Sequence, residues 1–224
     1  MTTAIGLGLP YRVRQTVSDH IAKWQHGYLA DESHAVRAVA RLRRGVPDGL
    51  GLINTSALHE GDADAAPQPD KEQIQHAEEA VVTALTMWAV HQQAQTSAMH
   101  RAGSAESPGD LGRALRQLMP PGTLNEAVVK RLIRAGTTQH LAELAQSLRE
   151  IVQLLRQGHI PLDYAHLAAQ LYSWQQPGGR NAVRHEWGLS FHSYYIKEPR
   201  SHNQTAATAS RSLPEPESTV WDAS

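Results

Sequence analysis

Apolar residues recur along most of this chain at steps of three and four, the period of one helix face, while the alternation of a half-buried strand is nearly absent. Val13, Val17, Ile21 and Trp24 place one such face on Arg12 to Leu29. Asp31 or Ser33 is the expected cap of a second helix running to Arg44, with Gly45 and Pro47 as its stop. Lys71 to Ala98 is the longest amphipathic candidate, since Ile74, Ala77, Val81, Leu85 and Trp88 share a face. Asp110 can cap a helix over Leu111 to Met119, ended by Pro120 and Pro121. Thr123 to Glu126 reads as a capping box opening a helix to Ala135, with Gly136 just past its end. Thr138 then opens Gln139 to Gln157, whose Leu141, Leu144, Leu148, Ile151 and Leu155 form a bundle seam closed by Gly158. Pro161 is placed for a helix start, with Leu162 to Gln175 following, and Val183, Trp187, Phe191, Tyr194 and Tyr195 suggest a final aromatic-faced helix.

The breaks organise the chain. Val46 to Asp70, rich in Gly and acid, reads as a long loop, and Ala102 to Gly109 as an internal boundary. From Pro199 the chain is rich in Ser, Thr, Ala and Pro and reads as a disordered tail. The expected fold is therefore all-α: an N-terminal helical part over 10–100 that includes the loop at 46–70, a C-terminal bundle of three or four helices over 110–196, and a tail over 197–224.

Composition narrows the chemistry. The 224 residues include no Cys, which excludes disulfide scaffolds, thiolate catalysis and Cys-based metal centres. No segment has the pattern of a signal peptide or reaches the ~20 apolar residues of a membrane span, so the expected compartment is the cytoplasm. The formal net charge of -1 conceals strong segregation. Residues 10–47 hold seven Lys/Arg against three Asp/Glu, residues 60–80 one against seven, and residues 100–160 eight against five. The two basic stretches are thus separated by an acidic one.

Within the first basic stretch, Arg37, Arg41 and Arg44 lie within about 60° of each other on one helix, with Arg43 beside them. Such a stripe repels itself and is relieved by a polyanion. Arg113 and Arg116 form a second set, and Lys130, Arg131 and Arg134 a third. Each set alone also fits a solvated face or cations complementing a helix C-terminus. Three sets on separate helices favour phosphate neutralisation without base readout. Trp88, Trp174 and Trp187 fall on apolar faces and read as core rather than as base-stacking platforms.

A catalytic reading finds little support. Two Asp-x-x-His pairs, Asp31/His34 and Asp163/His166, could share a helix face. Bundle metal sites combine more carboxylates than these, and Asp at a helix start is expected as a cap. No phosphate-loop, nucleophile-elbow or metalloprotease motif occurs. No metal and no cofactor is expected.

The ordered set of motifs resembles a known family. Ala38-Val-Ala-Arg-Leu-Arg-Arg-Gly45, the helix over 79–93, LGRALRQL at 111–118, KRLIRAG at 130–136 and the run from His140 to Trp174 resemble the CasB family. That family is the small subunit of the type I-E CRISPR surveillance complex, Cascade; the resemblance spans roughly residues 12–196. It implies a non-catalytic, all-α subunit that pairs with a second copy and touches the backbone and large subunits of the complex. It also implies contact with the guide RNA–target DNA hybrid and with the displaced DNA strand. By position, Arg41, Arg43 and Arg44 match the family's Arg-rich motif, and Arg113, Arg116, Lys130, Arg131 and Arg134 fall in its basic helical region. Arg37, Arg149 and Arg156 complete the candidate nucleic-acid-binding set. The alternatives are a helical adaptor for an acidic protein surface and a metal-dependent bundle enzyme.

Overall fold

The computed structural model describes residues 8–45, 50–59, 68–104, 109–120 and 122–197. Among these all regular secondary structure is helical, and one isolated parallel bridge joins His100 to Leu162. The helices are α1 (Leu9–Leu29), α2 (Ser33–Arg44), a single 3-10 turn at Leu50–Leu52, α3 (Ser56–His59), α4 (Lys71–Gln92), α5 (Leu111–Gln117), α6 (Glu126–Thr137), α7 (Leu141–Gln157), α8 (Tyr164–Gln175) and α9 (Gly179–Lys197). No helix among the described residues is long and apolar enough to cross a membrane. The tail beyond Lys197 and the acidic residues Glu60, Asp62 and Asp64 lie outside the described residues.

Each helix buries the face its period implies. Val13, Val17, Ile21 and Trp24 of α1 are buried, and so are Leu144, Leu148, Ile151 and Leu155 of α7. Each such side chain contributes about 1.5–3 kcal/mol relative to exposure. From Ala84 to Gln92 every residue of α4 is buried, as expected where neighbours enclose a helix. Those neighbours are α1, α2, α7 and α8. Helix α8 packs in turn on α1, α4 and α9, so one buried core runs across both halves of the chain. Trp88, Trp174 and Trp187 all belong to it.

Local chemistry explains several ends, and some differ from expectation. Asp70 caps α4 through a full capping box with Gln73. Asp110 caps α5 through the Arg113 amide, and Asp163 caps α8 through that of His166. Gly45 ends α2 at φ 84°, a conformation open to glycine. Asp31, an expected cap of α2, instead adopts φ 56° and leaves the N-cap position to Glu32. The capping box expected at Thr123 does not form. Asn125 accepts from the Ala127 and Val128 amides, while the Thr123 hydroxyl donates to the Pro120 carbonyl. Gly136 lies within α6 rather than past its end, because α6 continues to Thr137. Helix α4 ends at Gln92, not Ala98: the Gln92 side chain turns back on the chain, donating to the Ser97 carbonyl and accepting from the Met99 amide.

Residues 50–59, within the stretch read as a loop from 46 to 70, are not a plain loop. Within the described part, Leu58 is fully buried and its carbonyl accepts from Arg12 Nη1. His20 accepts from the Asn54 amide through Nε2 while its Nδ1 donates to the Thr16 carbonyl, and Glu78 accepts from the Thr55 hydroxyl. This segment is therefore strapped across α1 and α4.

Candidate nucleic-acid interface

The four arginines at the end of α2 stand where the helix period puts them. Ala35, Ala38, Val39 and Leu42 are buried, which turns Arg37, Arg41 and Arg44 outward and leaves Arg43 half-buried. Arg37 and Arg41 form no ion pair among the described residues. From α7, Arg149 Nη2 donates to the Arg43 carbonyl at 3.4 Å. That bond satisfies one of the carbonyls left open at the end of α2 and adds a fifth cation to its edge.

In the α6 set Lys130 and Arg134 are exposed and Arg131 is half-buried, and the set is partly neutralised. Lys130 pairs with Glu126 at 3.2 Å one turn away. Arg131 donates to the Ala127 carbonyl at 3.0 Å, and Arg134 lies 3.7 Å from Glu150 of α7. Exposed pairs of this kind are worth well under 1 kcal/mol, so a phosphate can compete for either cation.

The α5 set divides. Arg113 is half-buried and lines an open groove of about 320 Å³ with Arg101, Gly103, Gln117 and Pro161. Arg116 is fully buried, and its Nη1 donates to the Met119 carbonyl at 3.1 Å and towards the Pro120 carbonyl at 3.5 Å. It closes α5 from inside and presents nothing to a ligand. Arg156 is half-buried and donates to Gln93 Oε1, tying the end of α7 to the turn after α4.

The acidic chemistry is structural. Asp163, 1% exposed, accepts from Arg14 Nη2 at 3.2 Å and from the Gly103 amide at 2.9 Å besides capping α8. It thereby ties α1 and the Gly103 backbone to α8. His166 Nε2 lies 2.9 Å from Glu186, and that hydrogen bond holds the Glu186 carboxyl below its ordinary range. Burial pushes the Asp110 carboxyl upward, against the pull of the Arg113 amide and the Ser190 hydroxyl. At the centre, His91 Nδ1 meets the Tyr164 hydroxyl at 2.8 Å, and burial lowers the His91 pKa to about 4. Among the described residues no three His, Asp or Glu gather as metal ligands would.

Two surface cations escaped the sequence reading. Arg180 and Arg184 of α9 line a polar cleft of about 840 Å³ at the meeting of the α4 start, the α6–α7 turn and the α8–α9 turn. Their four-residue spacing after Pro177-Gly178-Gly179 was the available signal.

Comparison with known proteins places this arrangement. The family model for CRISPR-associated protein Cse2 matches residues 38–192. The crystal structure of CasB from Thermobifida fusca superposes with a TM-score of 0.72 at 40% identity, covering 81% of this chain and 98% of that one. A chain of a CRISPR RNA-guided surveillance complex shares the fold at a TM-score of 0.52 and 22% identity, over 82% of this chain and 95% of that one. No curated protein matches the chain.

Proposed function

The chain belongs to the Cse2 family of CRISPR-associated proteins, and on that premise we propose that it is a binding subunit of a Cascade-type surveillance complex, holding nucleic acid by its phosphates. The α2 face carries this reading. Arg37 and Arg41 stand exposed on a helix whose opposite face is buried, flanked by Arg43, Arg44 and Arg149, and no carboxylate among the described residues pairs with Arg37 or Arg41. A self-repelling stripe of this kind is stabilised by a polyanion through counterion release, without regard to sequence. The exposed cations of α6 extend it, with Arg113 as a further candidate.

Such contacts suit an R-loop. The RNA–DNA hybrid formed is about as stable as the DNA duplex it replaces, so protein–backbone contacts tip the balance. Our reading places the target and displaced strands among the ligands, and a second copy with the backbone and large subunits among the partners. The shared fold of a chain from an RNA-guided complex supports that assembly. Catalysis has no part in it.

The test is single-stranded DNA binding by fluorescence anisotropy over a salt series. Arg37→Ala/Arg41→Ala/Arg44→Ala should lower the log–log salt slope by about 2, at about 0.7 per phosphate contact, with the thermal midpoint unchanged. A slope equal to that of wild type removes the α2 face from the nucleic-acid path.

A further inference from the structure

Resting on that reading, we propose that the phosphate track does not end at α2 but crosses α7 and α6 and terminates in the cleft at the start of α9, where Arg180 and Arg184 bind the last phosphates of a single strand. Neighbouring contacts trace the path. Arg149 of α7 reaches the Arg43 carbonyl. The next residue, Glu150, lies 3.7 Å from Arg134 of α6. Two residues beyond Arg134, Gly136 is packed beneath Arg184: a Cβ there would stand 3.1 Å from Arg184 Cγ. Arg184 and Arg180 are one turn apart and line the same cleft. The carboxylate of Glu150 lies on this path, but its bond to Arg134 is long and solvent-facing, so a phosphate displaces it readily.

The cleft is built to hold a guanidinium still. Arg180 stacks on Trp174 at 5.2 Å from the ring centre and donates to Gln139 Oε1 at 2.7 Å. Arg184 donates to Asn181 Oδ1 at 2.9 Å. Each guanidinium has five N–H donors in a planar fork, and these bonds engage one apiece without neutralising the charge. Neither arginine has an ion pair among the described residues. A volume of about 840 Å³ gives room for a nucleotide unit beside them. The wall from α4 carries Asp70 and Glu72. Those charges repel a further phosphate, so the strand stops or turns away there. The track is a run of cations with a defined end.

The experiment is the same anisotropy salt series on the full chain with a short labelled single strand, now adding Arg180→Gln/Arg184→Gln and Arg180→Lys/Arg184→Lys. Both positions are exposed, and circular dichroism verifies the fold of each variant. The Gln pair should lower the salt slope by about 1.4, at about 0.7 per contact, and the Lys pair should keep it. Combining the Gln pair with the α2 triple variant should remove the sum of the two losses. An unchanged slope in the Gln pair alongside a reduced slope in the triple variant overturns the cleft and leaves the α2 reading standing. The reverse pattern removes α2 and keeps the cleft as the phosphate site. Failure of wild type to bind at low salt and high protein concentration overturns both.

Discussion

The outer face of α2 and the buried seam joining α4, α5, α8 and α9 both carry cations and histidines at helical spacing, yet they obey different rules. Arg41 is exposed, and an unmet N–H there costs nothing because water meets it. Arg116 occupies an equivalent position in a similar Leu/Arg pattern and is sealed inside, so its guanidinium must find carbonyls. A charged residue's spacing identifies its neighbours on the same helix. What covers that face decides whether the charge is a ligand contact or a structural bolt.

The contrast breaks most sharply at Gly112, one turn before Arg116. A Cβ there would collide with the Trp187 carbonyl and the Ser190 hydroxyl, because α5 and α9 touch backbone to backbone. Gly112→Ala should cost about 4 kcal/mol, at the upper end of overpacking effects, a fall of about 10 °C in thermal midpoint. A fall under about 2 °C would show that α9 shifts freely on α5.

The next effect is pH-dependent. His91 is held neutral, with its pKa lowered from 6.5 to about 4 by burial. The unfolded chain binds this proton first, so the contribution is fully present above pH 6.5 and is lost as pH falls towards 4. Denaturant midpoints should therefore show up to about 3 kcal/mol of destabilisation across that window. His91→Gln should flatten the dependence, and an equally steep profile in that variant would assign it to other groups.

Arg116→Met ranks third. It leaves the Met119 carbonyl without its guanidinium donor, while Thr123 still serves the Pro120 carbonyl, for about 2 kcal/mol in urea titration. Arg41→Ala, the surface counterpart, should fall within about 0.5 kcal/mol while weakening DNA binding. Reversal of that order would erase the distinction between the two regions.

Much of the fold was legible because helical signals are local. The seam of α7, the stop at Gly45 and the caps at Asp110 and Asp163 depend on residues within a turn of each other. Misreadings arose where two local solutions competed. Asn125 displaced the Thr123 box, because its carboxamide reaches two amides at once. The segment after α2 resembled a loop, since the straps from Arg12, His20 and Glu78 come from distant elements. The candidate surface was legible on α2, where the apolar stripe leaves only one way for the arginines to face. It was not legible on α5, where Arg116 shares its helix with Arg113 and differs from it only in what packs above.

The sequence by itself determined the described helices other than α3 and the 3-10 turn, most of their ends, the cations of α2 and the resemblance to CasB. The tertiary structure alone decided that α8 joins the two halves, that Asp163 ties α1 to the Gly103 backbone, that Arg116 turns inward and that Arg184 rests on Gly136. The physical reason is one of range. A period of 3.6 residues specifies which side chains share a face, whereas the partner covering that face comes from as far as 149 positions away, as in the Arg14–Asp163 pair.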